Sequence, residues 1–158
     1  RSGALCSEFE AFLYKHGAAI YHDSPQKHDL LMGVGQKLPT TISVALAMAL
    51  ADNNIQMTDI PSHATLTSLY SILAMARVHN QNPRTYAEIM STKGEGRKIV
   101  RSFAENIISI MDLAEKEEIS ALCEQIEKSA AYLSQDFLDA SMKQSLAVDR
   151  TLGKLMKS

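Results

Sequence analysis

The sequence predicts an all-α fold, a helical bundle, and three observations predict it: composition, the spacing of apolar residues, and the placement of capping residues. The 158 residues include no tryptophan, four phenylalanines and eight methionines, while Ala, Leu, Ile, Glu and Lys are abundant, which favours helices over strands. Apolar residues recur every three or four positions over long stretches. Ser and Asn followed by Pro stand where helices should begin.

Taken in order, Leu5, Phe9, Phe12 and Leu13 recur at helical spacing between Ala4 and His16, and Gly17 suits the position that ends a helix. Ala18-Ala19-Ile20-Tyr21 reads as a short strand. A helix and strand with no further such unit look like the last piece of an α/β domain, so residues 1–22 are read as a remnant of a preceding domain and 23–158 as the helical domain. Ser24-Pro25 predicts the start of a second helix running to about Asp52, interrupted by Gly33, Gly35 and Pro39. The proline should kink it, and close packing against another backbone would explain the glycines.

A linker through Pro61 should lead into a helix from about Ala64 to His79, with Leu66, Leu69, Leu73 and Ala76 on one face. Asn82-Pro83 caps a short helix ending near Met90. Two long helices then finish the chain. The segment from Arg97 to Leu113 repeats Val100, Phe103, Ile107, Ile110 and Met111. The other carries Ile119, Ile126, Leu133 and Ala140 at seven-residue intervals beside Leu122 and Phe137. Those stripes require burial. The basic tail from Arg150 to Ser158 should fray.

A net charge of −2 gives no general attraction to nucleic acid or anionic lipid. Cys6 and Cys123 lie far apart with no histidine at metal-ligand spacing, so neither a disulfide framework nor a zinc site is indicated. The apolar run from Ile42 to Ala51 is too short to cross a bilayer and the amino terminus lacks a signal-peptide pattern, which suggests a cytoplasmic protein. No G-x-G-x-x-G follows a strand, so this chain offers no dinucleotide-binding turn; phosphate-loop, metalloprotease and nucleophile-elbow motifs are absent as well.

The candidate functional residues are His28, Gln36, Arg77, Gln81 and Tyr86. His28-Asp29 falls near the start of the second helix, where an acidic residue suits the helix dipole and packing or capping is the ordinary explanation. Arg77 interrupts the apolar run from Ile72 to Val78. A guanidinium there is costly unless it meets a carboxylate, either within the protein or on an acidic metabolite that its planar fork can hold bidentately. A tyrosine placed like Tyr86, one turn into a capped helix, is more often a core residue with a wet hydroxyl than a ligand contact.

Together, His28-Asp29-x-x-Met32-x-x-x-Gln36-x-Leu38, Arg77, Gln81-Asn82-Pro83 and Tyr86-Ala87-Glu88-Ile89 resemble the carboxy-terminal helical domain of prephenate dehydrogenases, over about residues 22–140. The resemblance implies oxidative decarboxylation of prephenate to 4-hydroxyphenylpyruvate in tyrosine biosynthesis. NAD or NADP would be bound by a preceding domain absent from this chain. It also implies that Arg77 holds the ring carboxylate, that Tyr86, Gln81, Gln36 and His28 lie near the substrate, and that the domain forms a homodimer. Arogenate is the alternative substrate and tyrosine an implied inhibitor. The chain departs from the family pattern at Thr40, where a histidine is common, and at Gly96, where an asparagine often follows the short helix. Two other readings compete: a non-catalytic helical dimerisation or regulatory module whose Arg77 pairs internally, and a helical chorismate mutase. The mutase chemistry asks for several gathered cations, and the sequence offers one convincing candidate.

Overall fold

In the computed structural model residues 3–155 are described, and among them nine α-helices and one π-helical turn account for all regular structure. Helix α1 (Gly3–Lys15) ends at Gly17, whose φ of 83° is the left-handed conformation expected of a terminating glycine. Residues 18–24 are not a strand, which corrects the expectation for 18–21. A strand is defined by a hydrogen-bonded neighbour, and the described residues supply none.

Helix α2 (Pro25–Met32) begins as Ser24-Pro25 predicts, the Ser24 hydroxyl accepting from the Lys27 amide at 3.2 Å. It continues through a π turn (Gly33–Lys37) into α3 (Leu38–Asp52). The π turn explains how the run survives Pro39. A proline clashes with the carbonyl four residues back and donates nothing to it. In the wider turn the Leu38 amide reaches the Gly33 carbonyl instead. The expected interruption is therefore a bulge within one long run.

By length and mean hydropathy the run Pro25–Asp52 is long and apolar enough to cross a membrane, unlike the shorter apolar stretch read from sequence. Its neighbours give it another role. α2 and the π turn pack on α7 (Gly96–Glu115), α3 packs on α5 (Leu66–His79), and Lys37 in mid-run bonds to α6 (Pro83–Ser91). It is the helix on which α5, α6 and α7 gather.

Between α3 and α5 lies one short helix, α4 (Ile60–His63), in what reads from sequence as a linker. After α7 the chain turns at Glu117 into α8 (Ile119–Leu133), then at Ser134 into α9 (Gln135–Leu155). The seven-residue repeat predicted one helix across this junction. Ser134 breaks it with a φ of 65°, and its carbonyl and hydroxyl accept from the Leu138 and Phe137 amides at 3.1 and 3.5 Å, opening a new helix. α9 runs well into the tail expected to fray; residues 156–158 lie outside the described residues.

The core is thin. Among the described residues Met75 is the one large apolar side chain classed as buried, and the chain exposes 12850 Å². A compact monomer of 17.4 kDa would expose roughly 7,900 Å². The exposed apolar residues are spread from α1 to α9 and include much of the predicted stripes: Ile107, Ile110, Met111, Ile119, Ile126, Leu133 and Phe137 all face outward. Uncovered apolar area of this extent is what an interaction surface requires.

Candidate functional site

The tightest junction in the fold sits between the π turn and the start of α7. A Cβ on Gly33 would stand 2.6 Å from the Gly96 Cα, and one on Gly96 would stand 2.8 Å from the Asp29 carbonyl oxygen. Two backbones therefore touch, as the glycines suggested, although Gly35 faces open space and has no such role. The same crossing accounts for Gly96 where the resemblance leads one to expect asparagine: any side chain would strike α2. Thr40, the other departure, is buried at 4% exposure within α3 and so takes part in packing.

Asp29 belongs to this junction. It lies in the second turn of α2, beyond the first-turn position where the helix dipole would favour it, and its carboxylate stands over Gly94, whose φ is 122°. His28, beside it at 3.9 Å, points instead to an exposed recess of about 740 Å³ bordered by Tyr21, His22, Asp23, Lys27 and Leu31. The doublet thus serves two different neighbourhoods.

Gln36 borders a small cavity of about 90 Å³ with Asp29, Lys37, Thr92, Lys93 and the two touching glycines. Gln81 and Tyr86 meet in a recess of about 200 Å³ completed by Val44, Val78, His79, Pro83 and Met90. α6 carries Tyr86 there because Asn82 caps it as the sequence predicts, its side-chain oxygen accepting from the Arg84 amide at 2.9 Å. The sequence-selected residues therefore fall into four places, counting Arg77 apart from these three recesses, and only Gln81 and Tyr86 share one.

Arg77 is exposed, where the apolar run around it led us to expect burial. Of its apolar neighbours Met75 is buried and Ile72 and Val78 are half-buried, but Leu73, one turn away, is 54% exposed, so the run is covered on one side and Arg77 stands on the open one. Among the described residues its guanidinium has no hydrogen bond and no ion pair, so the internal pairing that would have made it structural is not seen.

Sequence reasoning passed over a second set of cations. Lys37, Arg97 and Arg101 border a groove of about 330 Å³ with Thr41, Met90 and Val100. Lys37 is 8% exposed and donates to the carbonyls of Ile89, Met90 and Thr92. Burial, and then the nearby Arg97 charge, push its pKa below the usual lysine value, with Asp29 pulling the other way. Arg97 donates to Thr92 and Ser91 oxygens at 3.2 and 2.6 Å. Lys37 stands at the open position of the motif Gln36-x-Leu38, so no motif signal marked it. The mutase reading is not advanced by this trio, since two of the three cations are already committed to carbonyls.

The fold and these sites describe a helical assembly domain: a thin core, outward apolar stripes, and small polar recesses on the surface. Residues 24–140 match the family model for the dimerization domain of prephenate dehydrogenase, and the chain belongs to that family. A curated relative from Methanocaldococcus jannaschii, named as a probable arogenate/prephenate dehydrogenase, is 23% identical over 125 residues. The match covers 79% of this chain and 28% of that relative. No solved structure gives a significant match.

Proposed function

We propose that this chain is the dimerisation and substrate-binding part of a prephenate dehydrogenase, with residues 1–22 the end of a nucleotide-binding domain and 23–158 the helical domain. The observation that carries the reading is the family match across residues 24–140. The unpaired Arg77 supports it. Prephenate carries a ring carboxylate, and a planar guanidinium can hold it at two points while the ring is pressed against a hydride acceptor. Tyr86 and Gln81 offer a hydroxyl and an amide in one recess, suited to orient the same ligand. Gln36 and His28, on the long central run, would border the approach.

The reaction moves a hydride from the ring carbon bearing the hydroxyl to NAD or NADP, releases CO2, and leaves 4-hydroxyphenylpyruvate, a step toward tyrosine. Nothing among the described residues fits a nicotinamide nucleotide, since no strand leads through a glycine-rich turn into a helix. The nucleotide would be held by the preceding domain, and the isolated chain is expected to be inactive.

Arogenate is the second reading, since the name of the archaeal relative gives both acids. It shares the ring carboxylate, so Arg77 would serve either. Tyrosine, which resembles the product, is the candidate inhibitor. The occupant of the apolar stripes is a second copy of this chain, forming a homodimer. A cytoplasmic location agrees with Cys6 and Cys123, which are both exposed and free.

The test is a kinetic assay of the full gene product against prephenate and arogenate, each with NAD and NADP. Reduced nicotinamide formation dependent on one of the two acids is expected. Absence of turnover with both would leave a non-catalytic dimerisation module.

A further inference from the structure

Lys37 is a buried cation that the reading above does not use. Its ammonium donates to the Ile89, Met90 and Thr92 carbonyls at 2.9, 3.1 and 2.7 Å. An ammonium has three donors, so all are spent on the end of one helix. A helix carboxy terminus leaves carbonyls without partners and carries partial negative charge. Here Lys37, before α6 in sequence, and Arg97, after it, meet that end from two sides. A glycine cap would close a helix without taking a charge out of water, so the closure alone does not require a lysine.

α6 itself is nine residues long and contains no fully buried residue, so its own packing holds it weakly. Tyr86 and Met90 lie four residues apart on one face of it and both line the recess that contains Gln81. The carbonyl of Met90 is one of the three that Lys37 holds. Lys37 ends the π turn, a feature frequent at functional sites.

We infer that Lys37 is a positioning residue: by clamping the end of α6 together with Arg97, it fixes where Tyr86 stands and so sets the shape of the recess. This inference rests on the reading of that recess as part of the substrate site. Its physical core, the clamp, stands on the hydrogen bonds alone.

The experiment compares full-length enzyme carrying Lys37→Met or Lys37→Arg with the unaltered protein, by steady-state kinetics and by amide hydrogen exchange. For Lys37→Met, the KM for the acidic substrate should rise about tenfold or more, with the KM for nicotinamide cofactor unchanged. Exchange of the 84–91 amides should quicken about tenfold while α8 keeps its rates. Lys37→Arg should recover most of both effects, because a guanidinium can still donate to several carbonyls. Unchanged exchange in α6, or equal acceleration in α6 and α8, would overturn the inference. If neither prephenate nor arogenate is turned over, the functional reading fails and the exchange measurement still decides the clamp. Should Lys37→Met not fold, Arg97→Ala removes the exposed half of the clamp and should give the same pattern at smaller amplitude; an unaltered α6 there would also overturn it.

Discussion

Gly33 and Gly96 bring two helical backbones into contact, with a Cβ on the first placed only 2.6 Å from the Cα of the second. The contact seats α7 on the central run and leaves Asp29 over Gly94. Backbone atoms cannot yield as a flexible side chain can, so Gly33→Ala should cost about 3 kcal/mol and Gly96→Ala a similar amount. Gly35 is the internal control: its surroundings are open, and Gly35→Ala should be neutral or stabilise by about 0.5 kcal/mol. Denaturant unfolding of the three variants checks this. Equal effects at all three positions would contradict the crossing.

Tyr70 on α5 donates a short hydrogen bond to the Asp149 carboxylate on α9. That bond, followed by desolvation and the charge of Asp149, raises the phenol pKa to about 12. A raised folded-state value means the contact contributes fully below the unfolded tyrosine value of about 10 and is lost as pH climbs from there to about 12. Phenolate absorbance should therefore show one of the five tyrosines titrating late. Tyr70→Phe should abolish that late step, and if it persists the assignment is wrong.

Ile126 is 69% exposed in the single chain. In a monomer, Ile126→Lys should change stability by no more than about 0.5 kcal/mol. In a homodimer that covers this stripe, the buried charge should weaken association by about a hundredfold or more. Sedimentation of the two proteins at matched concentrations decides between these outcomes. A dimer that tolerates the lysine would place the interface elsewhere.

Arg77→Ala in the full-length protein should raise the KM for the acidic substrate about tenfold to a hundredfold while sparing nicotinamide binding, the range expected for one charge-assisted contact. Arg77→Lys should restore only part of the loss, since an ammonium lacks the fork that grips both carboxylate oxygens. Kinetics indistinguishable from those of the unaltered enzyme would remove Arg77 from the site.

The candidate site was only partly legible in the chain. Gln81 and Tyr86 could be paired because Asn82-Pro83 between them announces a loop entering a helix, and local chemistry fixes their separation. Lys37 could not be found. Its three acceptors lie 52 to 55 residues further along, and nothing within one helical turn of it predicts that it would be drawn inside. Arg77 misled in the opposite direction, because the apolar residues around it imply a covered face, and a single chain leaves that face open.

The sequence by itself determined the helical class, most of the helix starts, the glycine at the close crossing and the stripes that need cover. These are local or periodic properties, set by caps, by backbone freedom and by 3.6-residue repetition. It did not determine the π turn that carries the run past Pro39, the break at Ser134, the separate recesses that His28 and Asp29 border or the clamp on α6. The π turn and the break use hydrogen bonds within five residues, which compete with those of an uninterrupted α-helix, so periodicity alone does not announce them. The clamp depends on carbonyls 52 to 55 residues away, and that proximity exists only after the helices have packed.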